Sequence, residues 1–347
     1  MPAPDQLDLW QWIGVFGLSA AVLVVAGTSL AKWGDEIATR TGLSGLLIGS
    51  LLAATATSLP ELVIGVSASV SGAPALAVSD MFGSNMANMA ILAVVDLMGR
   101  HRVWPVVELG HARVASIAIA LTAFAALGVI ARPDLTVAGW VGADTLFIGV
   151  AYVSTVAWMR RSRVSRVASL PGEGELPVPT GWSEPGRRGD VAPAALRFGA
   201  AAALILASAP FVTRSAEGIA VTGGLSESFV GTAMLAVASS LPELVASLAA
   251  VRIGAHDLAV GNLFGSNAMN MAMLLIFDLV YPKGPILAAV GGPGEATAAV
   301  ASIALMGLTL AAIVHGEETR IRRLEPDAVV VLLAYLAAMW AVWAASV

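Results

Sequence analysis

Two short stretches decide the reading of this chain. The first is Ser58-Leu-Pro-Glu61, followed by Phe82-Gly-Ser-Asn85 and Asn88; the second, 182 residues on, is Ser240-Leu-Pro-Glu243, followed by Phe264-Gly-Ser-Asn267 and Asn270. They are the densest matches in a gapless internal alignment of residues 42–97 with 224–279, in which about half of the positions are identical. Shared hydrophobic composition does not reproduce Pro-Glu and Gly-Ser-Asn at one spacing, so the chain is an internal repeat. Glu61 is the one charged residue between Thr41 and Ser79, and Glu243 the one between Ser228 and Val251.

Outside these stretches the chain is equally apolar. Of its 347 residues 57% are hydrophobic and 12% charged, with a mean hydropathy of +0.82. A soluble domain carries roughly 25% charged residues. The apolar residues fall in runs of about twenty, long enough to cross a bilayer as helices. This excludes nucleic-acid binding, a cytosolic enzyme and a secreted scaffold. The chain has no cysteine, hence no disulfide, thiolate metal site or cysteine nucleophile. Met1 to Trp10 carries Asp5 and Asp8 without Lys or Arg, so the first apolar run is expected to be a retained helix rather than a cleaved signal peptide.

Ten spans are expected, at roughly 11–31, 44–70, 75–98, 112–131, 138–159, 194–213, 225–251, 257–280, 295–314 and 327–346. The fold class is an all-α polytopic membrane protein of ten transmembrane helices. A first five-helix repeat covers 8–160 and a second 194–347, joined by a Pro/Gly-rich linker at 161–193. Five spans per repeat is an odd number, so the second repeat enters the membrane in the opposite sense. That is the inverted-topology plan of secondary transporters, whose ion sites lie near the midplane. With the N-terminus outside, every basic residue except Arg132, Arg214 and Lys283 falls on the inner side. The positive-inside rule therefore places both termini outside and the linker in the cytoplasm.

The repeated motifs are suited to holding hard cations. A carboxylate within an apolar helix costs several kcal/mol, which points to an interior, functional position for Glu61 and Glu243. Each follows a proline, which supplies no N–H and displaces the carbonyl four residues back. The carbonyls of Ala56 and Ala238 are thereby released inside a membrane, where they need a partner. Thr57 and Ser58 share the helix face of Glu61, as Ser239 and Ser240 share that of Glu243. Ser84 and Asn88 stand four residues apart on one face, and Ser266 and Asn270 repeat the pair. Gly83 and Gly265 allow close helix approach. The ligand types are oxygens throughout, which suits Ca2+ and Na+ better than zinc or copper.

The paired Ser-x-Pro-Glu and Gly-Ser-Asn-x-x-Asn motifs resemble the α-repeats of the cation/Ca2+ exchanger superfamily, in its sodium/calcium exchanger branch. The resemblance implies a central site of Glu61, Asn88, Glu243 and Asn270. It further implies outer ligands from Thr57, Ser58, Ser84, Ser239, Ser240 and Ser266, with carbonyls from Ala54 and Ala236. The implied activity is Na+/Ca2+ antiport in the plasma membrane by alternating access, with proton-coupled Ca2+ exchange as the rival. The family usually has Gly-Thr-Ser before Pro-Glu, where this chain has Ala56-Thr-Ser and Ala238-Ser-Ser. Many members carry Asp at the position of Asn270; Asn is similar to the potassium-independent members, which implies no K+ requirement. No cofactor and no ATP are expected, since neither a phosphate loop nor a nucleophile–base constellation is present. The partners are the transported ions and the lipid bilayer.

Several residues fall outside these motifs. Asp80 and its repeat mate Asn262 are read as helix-start residues stabilised by the dipole, with a peripheral cation site as the alternative. Asp96 and Asp278 are expected at the membrane boundary. Met81, Met86, Met89, Met269, Met271 and Met273 read as adaptable packing.

Overall fold

The computed structural model describes residue 3 and residues 6–41, 57–98, 111–133, 135–137, 139–168, 191–252, 256–315 and 326–347. These residues are almost wholly helical. The first half contains α1 (Leu9–Thr41), α2 (Leu59–Ser71), α3 (Pro74–Met98), α4 (His111–Ala131) and α5 (Ala143–Ala168). The second half contains α6 (Ala192–Gly223), α7 (Glu227–Ser239), α8 (Leu241–Arg252), α9 (His256–Val280), the short α10 (Ile286–Ala289), α11 (Pro293–His315) and α12 (Pro326–Ser346). A two-stranded antiparallel hairpin, β1 (Thr136–Val137) and β2 (Val141–Gly142), joins α4 to α5. The repeat is visible in the helix bounds, since α9 occupies the residues of α3 shifted by 182.

Seven of these helices are long and apolar enough to cross a membrane: α1 over Leu9–Gly34, α3, α4, α6, α9, α11 and α12. The α7–α8 pair, bent by 42° at one residue, makes an eighth. Two of the ten expected spans differ. Residues 44–56, the first part of the second span, lie outside the described residues, and α2 supplies the remainder as a shorter apolar helix. The fifth span begins at Ala143 rather than near 138, because the hairpin occupies its first residues. The helix then runs on to Ala168, past the expected boundary at 160. Most of the expected linker, 169–190, is also outside the described residues.

Local chemistry sets the turns. Gly72 closes α2 in the left-handed region at φ 86°, and its N–H returns to Ser69 O at 3.2 Å. Such a φ is nearly free of cost for glycine alone. Pro74 then starts α3, where a missing N–H costs nothing.

The halves interlock. α3 packs against α11 and α12 of the second half, and α9 against α4 and α5 of the first. α1 and α6 lie along each other in the most extensive helix–helix contact of the described residues, with the Trp12 ring seated on Gly218. α1 also rests on both motif prolines: a Cβ at Gly27 would lie 2.6 Å from Pro242 Cγ and 3.5 Å from Pro60 Cγ. The buried core runs through all of these contacts, and α3 is the most enclosed of the long helices.

Candidate functional site

The site grows from the two prolines. Ser58, with φ −88° and ψ 6°, and Ser240, with φ −84° and ψ 1°, each sit at a helix break directly before a Leu-Pro-Glu start. Across the second break the ladder is bridged by Ser240 N–H to Ala236 O (3.1 Å) and Leu244 N–H to Ser240 O (3.2 Å). Among the described residues no backbone N–H reaches across to the Val237, Ala238 or Ser239 carbonyls, as the proline geometry predicts for Ala238. The turn before this break is a π-helix, Gly231–Leu235, a form often found at functional sites. Ala54 and Ala56, the equivalents in the first half, lie outside the described residues.

α3 and α9 bring the amides and serines against these breaks. A Cβ added at Gly83 would lie 2.6 Å from Ala236 Cβ, 2.6 Å from Thr232 O and 2.7 Å from Thr232 Cα. Only hydrogen at Gly83 therefore lets α3 lie against the π turn. Ser84 then reaches Ser239 (Oγ to Oγ 3.3 Å), and on the other side Ser58 Oγ donates to Ser266 Oγ at 3.3 Å. Glu61, Glu243, Asn88, Asn270, Thr57, Ser58, Ser84, Ser239, Ser240 and Ser266 are all buried, so every described side chain expected at the site is interior. Ser239 lies beside Glu61, and Thr57 and Ser58 beside Glu243, so each carboxylate is flanked by hydroxyls of the other repeat, although neither Glu243 oxygen makes a hydrogen bond.

The amides form a pair of crossed contacts between the halves. Asn88 Nδ2 donates to Asn267 Oδ1 at 2.8 Å, and Asn270 Nδ2 donates to Asn85 Oδ1 at 3.1 Å. Asn267 Nδ2 donates to the Asn85 carbonyl, and Asn85 Nδ2 to Thr122 Oγ1, both at 3.3 Å. Asn85 and Asn267 were not expected at the site. Their repetition in both Gly-Ser-Asn motifs was the available signal. They occupy the Nδ2 groups of Asn88 and Asn270 and leave the Oδ1 atoms as the free acceptors.

The outcome is a buried set of oxygens without hydrogen-bond partners: Glu61 Oε2, both Glu243 carboxylate oxygens, Asn88 Oδ1, Asn270 Oδ1 and Ser240 Oγ. Unpaired buried oxygens cost about 1–3 kcal/mol each, more when charged. The set comes from both halves, and all six atoms can accept, which is the kind of group that a hard cation satisfies. Among the described residues no three His, Cys, Asp or Glu side chains converge; the unpartnered atoms here are carboxylate, amide and hydroxyl oxygens. A crevice of about 250 Å3 lined by Leu59, Leu62, Tyr152, Met269 and Met273 reaches Ser58.

One expectation is corrected. Asp80 is not at the start of its helix but two turns inside α3, fully buried, with Oδ1 accepting from Ser239 Oγ at 3.3 Å. Asp278 lies in the last turn of α9 with its carboxylate turned inward. It is buried, and accepts from Gly142 N–H and Ile286 N–H, each at 2.7 Å, and from the Thr145 hydroxyl. It pins the β-hairpin and α10 to the end of α9.

The comparisons agree with this architecture. The family model described as "Sodium/calcium exchanger protein" matches residues 11–159 and again 193–344. The chain is 29% identical to CaxA of Alkalimonas amylolytica over 89% of this chain and 94% of that one. It is 25% identical to the sodium/calcium exchanger MaX1 of Methanosarcina acetivorans over 76% and 82% of the two chains. In three dimensions it resembles the sodium-calcium exchanger NCX_Mj with a TM-score of 0.60 at 20% identity, covering 96% of this chain and 99% of that chain. These matches concern a transporter family and not an enzyme. The protein is a multi-pass membrane transporter, a member of the sodium/calcium exchanger family.

Proposed function

We propose that the protein is a secondary-active antiporter that exports Ca2+ in exchange for Na+ by alternating access, without K+. The supporting observation is the set of unpartnered buried oxygens contributed by both repeats around Glu61 and Glu243. Two ionised carboxylates balance one Ca2+, and the same charge accommodates Na+ in its place, so the ions compete. Glu61, Glu243, Asn88 and Asn270 are the central ligands, and Thr57, Ser58, Ser84, Ser239, Ser240, Ser266 and the Ala54 and Ala236 carbonyls the outer ones. The name of the relative MaX1, a sodium/calcium exchanger, supports this cargo.

The architecture belonging to this reading is ten spans in two inverted five-helix halves, 8–160 and 194–347, joined by a cytoplasmic linker at 161–193. Both termini lie outside the plasma membrane. The two separate family-model matches, one per half, support that division.

The test is 45Ca2+ uptake into proteoliposomes loaded with Na+, compared with K+ loading and with an imposed pH gradient. Uptake is expected only from Na+-loaded vesicles, and Glu61→Gln or Glu243→Gln abolishes it. Uptake driven by the pH gradient and indifferent to Na+ establishes proton-coupled exchange instead. Normal transport by either Gln variant removes that residue from the centre.

A further inference from the structure

An amide keeps nearly the same shape when its oxygen and nitrogen exchange places. Which end Asn88 and Asn270 leave free therefore depends on what holds the other end. Both leave Oδ1 free, and both are held by donation from Nδ2, Asn88 to Asn267 and Asn270 to Asn85. Asn267 and Asn85 are themselves amides and equally reversible. The sense of each contact is fixed only where its chain of hydrogen bonds reaches a group that cannot be turned over.

The two chains end differently. Asn88 leads to Asn267, whose Nδ2 donates to the backbone carbonyl of Asn85 at 3.3 Å. A carbonyl only accepts, so the main chain fixes this sense. Asn270 leads to the Asn85 side chain, whose Nδ2 donates at 3.3 Å to Thr122 Oγ1 on α4. The Thr122 hydroxyl donates in turn to Ala118 O, one turn back in the same helix, at 2.8 Å. With its one proton committed there, Thr122 acts as an acceptor towards Asn85. Thr122 and Asn85 are both completely buried. At the same 182-residue shift α11 carries Ala304, which has no hydroxyl, and Asn267 donates to the Asn85 carbonyl instead.

We propose that Thr122 is a positioning residue, which sets the sense of the Asn85–Asn270 pair and so makes Asn270 an oxygen ligand. This inference rests on the reading of Asn270 as a central ligand and adds the group that orients it. Thr122 bonds to none of the proposed ion ligands; its hydrogen bonds go to Asn85 and Ala118. Without an acceptor at position 122, turning Asn85 over no longer sacrifices a hydrogen bond there. Asn85 then offers Nδ2 to Asn270, and Asn270 answers with Oδ1. That leaves an N–H among the unpartnered oxygens, where a cation belongs. Groups that orient a ligand tune its affinity in this way. The difference is one neutral hydrogen bond, which corresponds to about fivefold in affinity. The chain through Asn88 ends on the main chain and keeps its sense.

The experiment is equilibrium 45Ca2+ binding to the purified full-length protein, for wild type, Thr122→Val, Thr122→Ser, Asn270→Asp, Thr122→Val combined with Asn270→Asp, and Glu61→Gln. Thr122→Val keeps the shape but removes the acceptor, and is expected to weaken Ca2+ binding about fivefold. Thr122→Ser keeps the hydroxyl and is expected to bind like wild type. With Asn270→Asp both side-chain ends at position 270 are oxygens, so adding Thr122→Val has no further effect. A general packing fault would weaken binding equally in both backgrounds. Wild-type binding by Thr122→Val overturns the proposal, as does a loss in Thr122→Ser equal to that in Thr122→Val. The same loss with Asn270→Asp as without it also overturns it. Should Thr122→Val not fold, Thr122→Ala takes its place; failure of both makes Thr122 a residue of stability and overturns the positioning role. Should Asn270→Asp bind no Ca2+, the contrast between valine and serine decides. Glu61→Gln separates the two levels. Retained Ca2+ binding there overturns the transport-site reading; its loss, with unaltered binding in Thr122→Val, overturns the role of Thr122 alone.

Discussion

Gly83→Ala tests whether helix contact and ion site are one object. The added Cβ meets Ala236 Cβ and Thr232 O at 2.6 Å and Thr232 Cα at 2.7 Å. Carbon atoms rest at about 3.5–4.0 Å, so α3 and the π turn must separate by roughly 1 Å. Two of the three obstacles are backbone atoms and cannot rotate away. Overpacking of this kind costs about 1–3 kcal/mol, against a gain of about 1 kcal/mol from replacing glycine inside a helix. The net change is a loss of up to about 2 kcal/mol. The same substitution at Gly17 or Gly199, exposed and with nothing within 4 Å, keeps only the gain. Melting of the purified protein in detergent should therefore rank Gly83→Ala below wild type and the two controls at or above it. The displacement also carries Ser84 away from Ser239, now at 3.3 Å, and Na+-driven 45Ca2+ uptake should fall on the order of tenfold or more. Wild-type melting together with wild-type uptake would refute the argument that this contact positions the serines.

Asp278→Ala removes the acceptor of the Gly142 and Ile286 N–H groups and should cost about 1–3 kcal/mol for each N–H left buried. A melting curve equal to wild type would show that the hairpin does not depend on it. Asn270→Asp replaces the amide that donates to Asn85 Oδ1 with a carboxylate beside the unpartnered oxygens. It should shift the Na+ to Ca2+ preference measured by competition without lowering the melting temperature markedly; unchanged preference counts against Asn270 as a ligand.

The sequence made the site readable wherever a residue type and a spacing were both repeated. Pro60-Glu61 and Pro242-Glu243 marked the breaks, and Ser84/Asn88 and Ser266/Asn270 marked the faces turned towards them. The π turn at Gly231–Leu235 carried no such mark, because Gly-Thr-Ala-Met-Leu has no residue that demands the wider helix. Asp80 was misread for a related reason. Spacing along α3 shows which residues share its face, but the partner that gives Asp80 meaning, Ser239, belongs to α7 in the other half. Asn85 and Asn267 likewise act across the two repeats, and sequence periodicity within one helix cannot show which amide meets which. The partners of Asp278 are likewise beyond the reach of helix periodicity: they lie at 142, 145 and 286, on three separate elements.

The interlocking of the halves bears on how the protein comes into being. α3 finds its neighbours in α11 and α12, which leave the ribosome some two hundred residues later, and α4 and α5 must wait for α9. The first half, once made, holds Glu61 on α2 and Asp80 and Asn88 on α3, without the second-half helices that enclose them. Membrane insertion and tertiary folding are therefore separate events in this chain. The packing around α3 is complete only when the last two helices close over it, so a truncation near the C-terminus exposes a helix of the first half.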